Sequence, residues 1–225
     1  MILVFDLDDT LYKESEFFKS GIKAVARYLR DQCDLIEERS FNLMLKQLEA
    51  GRNKIFDRAL DEYGIYSKTL VRKCLAVYRA HQPTIKLHRV AIDCLERFAR
   101  YPKYIVTDGN KFVQKNKISV LGLKTKVKRV FMTHCFGVKN AKPSPYCFNL
   151  ICAAERVPPN EVVYVGDNPA KDFVGIKPLG FRTIRILQGN HRDIKLAPAY
   201  EADYTIGSLD EMTEEMIVGV LRNVI

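Results

Sequence analysis

The chain has 225 residues, 47% of them apolar, and its 36 Lys and Arg exceed its 27 Asp and Glu, which gives a net charge of +9. This length and apolar fraction suffice for a packed core with a smaller inserted domain. No window reaches the roughly 18 apolar residues of a membrane-spanning helix, and six scattered cysteines without a C-x-x-C pair disfavour a disulfide framework. Since the amino terminus leads directly into a strand, we expect a cytoplasmic protein.

The first predicted strand, Leu3–Asp6, is followed by a polar turn that ends at Thr10. The carboxylates of Asp6 and Asp8 therefore lie where a buried strand ends, and reactive groups collect at such ends in α/β proteins. Paired carboxylates repel each other, so they favour a shared proton or a bound cation. A plain polar turn explains the same residues. The pattern leaves both interpretations open.

Residues 13–88 contain no convincing strand, and their apolar residues recur at helical spacing. We expect four helices, inserted after the first strand as a separate domain over its carboxyl end. The loop residues Arg52, Asn53 and Lys54 follow Gly51 and are the candidates for substrate contacts, although a solvated interhelical loop explains them equally well. The four apolar stripes are Phe18, Ile22, Val25 and Leu29; Phe41, Leu45 and Leu48; Ile55, Ala59, Leu60 and Tyr63; and Leu70, Cys74, Val77 and Tyr78.

The rest of the chain alternates short apolar runs with helical patterns. This alternation predicts an α/β fold, with a Rossmann-like parallel sheet covered by helices, in residues 1–12 and 89–225. The further predicted strands are Tyr104–Thr107, Val130–Thr133, Val162–Gly166, Thr183–Leu187 and Tyr204–Ile206. The predicted helices are Val90–Arg100, Lys111–Leu121, Pro145–Glu155, Ala170–Leu179 and Leu209–Asn223.

Three further polar segments lie at predicted strand or helix ends: Thr107–Asn110, Lys142–Pro145 and Gly166–Asp172. Singly, each is explained by a turn, a helix lead-in or a helix cap. Together with Asp6–Thr10, and in this order, they resemble the four signature motifs of the haloacid dehalogenase superfamily of hydrolases. The resemblance covers nearly the whole chain outside the helical insert. That insert is similar to a type 1 cap, which closes over the active site and selects the substrate.

The resemblance implies a magnesium-dependent phosphatase. It would hydrolyse a small phosphomonoester, such as a sugar phosphate or a nucleotide, through an aspartyl-phosphate intermediate. Asp6 would be the nucleophile and Asp8 the general acid and base, a task that benefits from a raised pKa. Mg²⁺ would be held by Asp6, Asp167 and the backbone carbonyl of Asp8.

The resemblance also assigns the substrate phosphate to a second set of residues. Thr107 would offer its hydroxyl, Asp108 and Gly109 their backbone N–H groups, and Lys142 its charge. Asp172 would brace Lys142 or a metal-bound water. The position of Asp108 more often holds Asn in the superfamily, which puts little in doubt because a backbone contribution is expected there.

The positive charge raises the possibility of a nucleic-acid partner. We interpret the densest basic run, between Lys111 and Arg129, as a solvated face, and we expect a small phosphorylated metabolite as partner, with no nucleic acid and no membrane. Two alternatives stay open: a phosphomutase of the same superfamily, although Thr10 favours hydrolysis, and a non-catalytic basic binding protein on the same fold. The sequence assigns neither an oligomeric state nor one particular substrate.

Overall fold

The computed structural model describes residues 1–222, and the chain divides into two compact units. One contains Met1–Glu14 and the chain from Lys86 onward, and the other is Ser15–Ile85. Within residues 1–222, no helix is both long enough and apolar enough to cross a bilayer.

The second unit contains four α-helices, the first of which begins at the last residue of the preceding segment: α1 (Glu14–Cys33), α2 (Glu37–Glu49), α3 (Ile55–Glu62) and α4 (Lys68–Ala80). Each helix turns an apolar stripe inward, as expected for amphipathic helices around a shared core. Ser67 caps α4 by accepting a hydrogen bond from the backbone N–H of Leu70. The buried core consists of Ile22, Val25, Ala26, Leu29, Met44, Phe56, Ala59, Leu60, Val71 and Cys74.

Within residues 1–222, the first unit has a parallel sheet of six strands: β1 (Ile2–Phe5), β2 (Lys103–Thr107), β3 (Arg129–Met132), β4 (Val162–Gly166), β5 (Arg182–Ile186) and β6 (Tyr204–Ile206). The six predicted strands are confirmed to within one residue at each end. Every residue of β1, β2 and β4 is buried, which is typical of a parallel sheet covered by helices on both faces. The predicted α/β class is therefore confirmed.

The strand order is β3-β2-β1-β4-β5-β6. The chain thus proceeds outward from β1 in one direction and outward from β4 in the other. In open α/β sheets of this order, ligands bind outside the carboxyl ends of the strands where the direction reverses. That position lies between β1 and β4.

The described helices of the first unit are α5 (Arg89–Arg97), α6 (Lys111–Val120), α7 (Tyr146–Glu155) and α8 (Glu214–Arg222). The predicted α-helix at Ala170–Leu179 is wrong: the segment forms successive turns that end in a short 3-10 helix at Lys177–Leu179. Gly175 and Pro178 are poor helix formers, and Gly175 packs against the backbone carbonyl of Pro143 so closely that a Cβ would overlap it.

The predicted terminal helix, Leu209–Asn223, is also shorter than expected. Leu209–Glu211 is a separate 3-10 turn, held by a capping box between Ser208 and Glu211. The α-helix then begins at Glu214. Asn223 lies outside the described residues.

Candidate active site

The turn after β1 separates the two carboxylates that the sequence places two residues apart. Asp9 adopts a left-handed conformation, with φ of 52°, which Asp tolerates better than most residues. Its Oδ1 accepts a hydrogen bond of 2.8 Å from the backbone N–H of Glu14, which fixes the turn. Because the chain turns here, Asp6 and Asp8 bind different lysines.

Asp6 lies at the carboxyl end of β1, directly beside the end of β4. Its backbone N–H donates to the carbonyl of Val165 at 2.8 Å, which continues the pairing of the two strands. Asp167 follows β4 directly. Carboxylate oxygens of Asp6, Asp167 and Asp172 all lie within 4.8 Å of one another, and all three residues are buried. The fold therefore gathers three acidic groups at the point where the strand order reverses.

Lys142 provides the positive charge of this cluster. Its ammonium donates to Asp6 Oδ1 at 2.7 Å, to Asp172 Oδ1 at 2.7 Å and to the Tyr164 hydroxyl at 3.0 Å. The Lys142 side chain is only 5% exposed. A buried ammonium is stable only when it is paired and hydrogen-bonded, so these contacts hold it against Asp6.

Asp172 is a brace for Lys142. Its Oδ1 accepts from Lys142 and from the Tyr164 hydroxyl, and its Oδ2 accepts from the backbone N–H of Asn168 at 2.8 Å. Both carboxylate oxygens are thus engaged by protein donors. Gly166 makes room for this side chain, because a Cβ at that position would overlap the Asp172 carboxylate.

The charges of the cluster are not balanced, and the pKa values reflect this. Burial raises the pKa of Asp6 to about 7, although Lys142 lowers it in part. Burial, reinforced by the charges of Asp6 and Asp172, raises the pKa of Asp167 to about 9. Two neighbouring buried carboxyl groups resist ionisation because their negative charges repel each other. A bound cation would offset this repulsion and favour the ionised forms.

The donor set fits a hard divalent cation such as Mg²⁺, which prefers a small number of carboxylate oxygens. Asp6 and Asp167 could supply these oxygens, whereas Asp172 is already committed to Lys142. Within residues 1–222, the acidic cluster does not include the carboxylate of Asp8. The side chain of Asp8 therefore belongs to a different part of the site.

Three donors surround the Asp8 carboxylate. Lys117 Nζ donates to its Oδ1 at 2.7 Å, Gln114 Nε2 donates to its Oδ2 at 2.9 Å, and the Tyr12 hydroxyl donates to Oδ1 as well. Burial raises the pKa of Asp8, but the Lys117 charge and these hydrogen bonds outweigh it, and the net direction is downward. The acid and base task expected of Asp8 benefits from a raised pKa, whereas Lys117, which the sequence interpretation assigned to a solvated face, lowers the pKa here.

The loop after β2 brings Thr107, Asp108 and Gly109 to the same edge of the sheet. The Thr107 hydroxyl accepts from Gln114 Nε2 at 2.9 Å. Gly109 has φ of 127°, a conformation that favours glycine. The Asp108 side chain, for which we predicted no role, accepts from the Thr133 hydroxyl at 2.7 Å and from the backbone N–H of Lys142 at 3.1 Å. Asp108 thus ties the Lys142 segment to this loop.

Arg52, Asn53 and Lys54 belong to the second unit, where all three are exposed. The Arg52 guanidinium lies 4.5 Å from the centroid of the Phe18 ring. Lys54 precedes α3 with φ of 57°. Arg52 and Lys54 line a cavity of about 290 Å³ whose other walls are mainly apolar.

Sequence reasoning missed Gln114, Lys117 and Tyr164. It assigned Lys117 to a solvated basic run, and that interpretation is wrong for this residue, which is only 3% exposed. One signal was available: Gln114, Lys117 and Ile118 are three and four residues apart and therefore share one face of α6. Tyr164 was taken as one more apolar residue of β4.

A family model described as haloacid dehalogenase-like hydrolase matches residues 1–180. The glyceraldehyde 3-phosphate phosphatase of Methanocaldococcus jannaschii is 29% identical, over 94% of this chain and 95% of that protein. The enzyme of the same name from Pyrococcus furiosus is 30% identical, over 95% of this chain and 91% of that protein. In fold, the chain is similar to the magnesium-bound HAD-hydrolase YfnB from Bacillus subtilis, with a TM-score of 0.63 and 23% identity over 93% of this chain and 95% of that one.

Proposed function

This chain belongs to the haloacid dehalogenase-like hydrolases and is a phosphatase of that superfamily, and we propose that it hydrolyses a small phosphomonoester with Mg²⁺ through a phosphorylated Asp6. One observation carries the proposal: Asp6, at the carboxyl end of β1, lies within 4.8 Å of the Asp167 carboxylate and 2.7 Å from the Lys142 ammonium. A nucleophile, a cation site and a fixed positive charge are thus available at one point.

Asp6 and Asp167 would hold Mg²⁺ through their carboxylates, and the backbone carbonyl of Asp8 would be a further ligand. When bound, the cation supplies the charge that offsets the repulsion between an attacking carboxylate and a phosphate. The raised pKa values of Asp6 and Asp167 support this assignment, since the site favours protonated carboxyl groups unless a cation balances them.

In the first step, a carboxylate oxygen of Asp6 attacks phosphorus. The new O–P bond forms while the bond from phosphorus to the leaving oxygen breaks. That oxygen keeps the electron pair and takes a proton from Asp8. Lys142, the Thr107 hydroxyl and the backbone N–H groups of Asp108 and Gly109 stabilise the charge on the remaining phosphate oxygens.

In the second step, water attacks the phosphorus of the acyl phosphate and gives a proton to Asp8. The O–P bond to Asp6 breaks, and inorganic phosphate leaves with Asp6 restored as a carboxylate. The lowered pKa of Asp8 keeps its carboxyl group ionised, so it is able to accept this proton. For the acid role, the negative charge of a bound phosphate beside Asp8 raises the affinity of its carboxyl group for a proton.

For the substrate, we propose a short sugar phosphate, with glyceraldehyde 3-phosphate as the first compound to test, since that is what the matched relatives are named for. We propose that residues 13–88 are the cap domain that selects it. Arg52, Asn53 and Lys54 are the candidate contacts, and the cavity lined by Arg52 and Lys54 supports the assignment of these two.

The test measures phosphate release from glyceraldehyde 3-phosphate and from p-nitrophenyl phosphate, with Mg²⁺ and with chelator. We expect release only with Mg²⁺, and its loss in Asp6→Asn. Absence of release with Mg²⁺ on both compounds would overturn the proposal. Isomerised sugar phosphate without free phosphate would indicate that the protein is a phosphomutase. Salt-sensitive retention on nucleic acid that is unchanged in Asp6→Asn would indicate a non-catalytic binding protein.

A further inference from the structure

The inner face of α6 carries two polar side chains that are nearly inaccessible to solvent. Gln114 is 2% exposed and Lys117 is 3% exposed, whereas Lys111 and Lys115 of the same helix are exposed. Lysine is almost never fully buried unless it is paired, because removing an ammonium from water costs several kcal/mol. The burial of Lys117 therefore needs a reason, and its 2.7 Å contact with Asp8 provides one.

Gln114 connects three parts of the site through a single amide group. Its Nε2 lies 2.9 Å from Asp8 Oδ2 and 2.9 Å from the Thr107 hydroxyl, and it also contacts the backbone carbonyl of Asp108. The amide orientation is determined by these acceptors, since exchanging nitrogen and oxygen would turn Oε1 toward a carboxylate and a carbonyl. Among the described residues, the buried Oε1 has no hydrogen-bond partner.

Both oxygens of Asp8 are thus held by side-chain donors. The Oδ1 atom accepts hydrogen bonds from Lys117 and Tyr12, and the Oδ2 atom accepts one from Gln114. Since Gln114 also bonds Thr107, the carboxylate of Asp8 is held in a defined position relative to the hydroxyl proposed to bind the phosphate. A group that transfers a proton must lie within hydrogen-bond reach of the reacting oxygen. The hydrogen bonds of Gln114 to both Asp8 and Thr107 would hold the Asp8 carboxylate at such a position.

We propose that Gln114 and Lys117 are positioning residues that hold the Asp8 carboxyl group where it can exchange a proton with the leaving oxygen and then with the attacking water. This inference rests on the proposed function. Neither residue forms a bond to phosphorus or receives the phosphoryl group. Their contribution is to the geometry of one proton donor and acceptor.

Leaving groups differ in their need for a proton, so a misplaced Asp8 should affect phosphate esters unequally. An alkoxide leaves only with a proton from Asp8, whereas p-nitrophenolate leaves readily as an anion. Misplacing Asp8 should therefore slow phosphoryl transfer from alkyl phosphates far more than transfer from aryl phosphates. It should also slow the hydrolysis of phosphorylated Asp6 for both, because that step needs Asp8 as a base.

The experiment compares the wild-type protein with Lys117→Met and Gln114→Leu, with Mg²⁺ present. Single-turnover rates are measured on glyceraldehyde 3-phosphate and on p-nitrophenyl phosphate. We expect the rate on the alkyl phosphate to fall by about 100-fold or more and the rate on the aryl phosphate by less than about tenfold. With the aryl phosphate in excess over the protein, the variants should show a burst of p-nitrophenolate while phosphorylated protein accumulates. Lys117→Arg should restore part of the alkyl rate.

Lys115→Met is the matched control, since this exposed residue lies on the same helix and has no part in the proposed site. Equal losses on the two substrates, without a burst, would overturn the inference and leave a purely structural role for α6. Unchanged rates in Lys117→Met and Gln114→Leu would overturn it too. If Lys117→Met does not fold, combining it with Asp8→Asn removes the unpaired charge, and Gln114→Leu supplies the kinetic test. A wild-type protein inactive on both substrates would instead defeat the proposed function.

Discussion

Raising the pH should destabilise the protein in chelator, and Mg²⁺ should cancel the effect. In the unfolded chain, Asp167 has a pKa near 3.8, whereas in the fold its pKa is about 9. Between pH 7 and pH 9 the folded protein therefore holds a proton on Asp167 that the unfolded chain does not. Stability depends on this difference in bound protons, so it falls as pH rises. Asp6, with a pKa of about 7, contributes in the same direction at lower pH.

The size of the effect follows from the one extra proton that the folded protein holds on Asp167 over two pH units. Each unit is worth about 1.4 kcal/mol while that proton is fully bound, and the group is half ionised near pH 9, so the loss of stability between pH 7 and pH 9 is roughly 2–3 kcal/mol. For a chain of this length, 1 kcal/mol shifts Tm by about 2–4 °C, so Tm in chelator should fall by about 5–10 °C. Mg²⁺ binds the deprotonated carboxylates, and the stabilisation that it provides should grow as the pH rises.

The assay is thermal unfolding at pH 6, 7, 8 and 9, in chelator and in excess Mg²⁺. The matched variant is Asp167→Asn, which lacks the titrating group, so its Tm in chelator should change less between pH 7 and pH 9. The difference between the two proteins isolates Asp167 from every other group whose protonation changes with pH. If the wild-type protein and Asp167→Asn show the same pH dependence in chelator, the electrostatic account of the cluster is refuted.

Three further predictions concern other parts of the chain. Lys142→Met should lower kcat by about 100-fold or more and also lower Tm, because it leaves Asp6 and Asp172 buried without their cation; steady-state kinetics and unfolding measure the two effects. Gly175→Ala should lower Tm by several degrees, because its Cβ would overlap the Pro143 carbonyl, and an unchanged Tm would contradict the packing. Arg52→Ala should raise KM for glyceraldehyde 3-phosphate with Tm nearly unchanged, since Arg52 is exposed; an unchanged KM would remove it from the proposed substrate contacts.

The strands of the sheet could be predicted because their sequence signal is local. The strands β1, β2 and β4 are short apolar runs bounded by polar or turn residues, and burial on both faces requires such runs. The segment Ala170–Leu179 could not be predicted, because its helical spacing is overridden by contacts distant in sequence. Gly175 packs against Pro143 there, and Asp172 bonds Lys142 thirty residues earlier.

The candidate site, like the fold, could be predicted from the sequence only in part. The order of the four polar segments determined which residues are candidates, and Asp6, Lys142, Asp167 and Asp172 are gathered at one edge of the sheet. The sequence did not reveal that the Asp108 side chain holds the backbone of Lys142, because that contact spans 34 residues. Composition and charge alone did not distinguish Lys117 from the exposed lysines around it; only its place on one face of α6 with Gln114 and Ile118 sets it apart.

By itself, therefore, the sequence determined the sheet, the helical insert and the identity of the candidate groups. These depend on apolar periodicity and on residues at strand ends. Only the tertiary structure decided which cation faces which carboxylate: Lys142 faces Asp6 and Asp172, and Lys117 faces Asp8. The physical reason is that burial and charge pairing set the state of each carboxyl group, and both depend on neighbours that folding brings together across 30 to 136 residues.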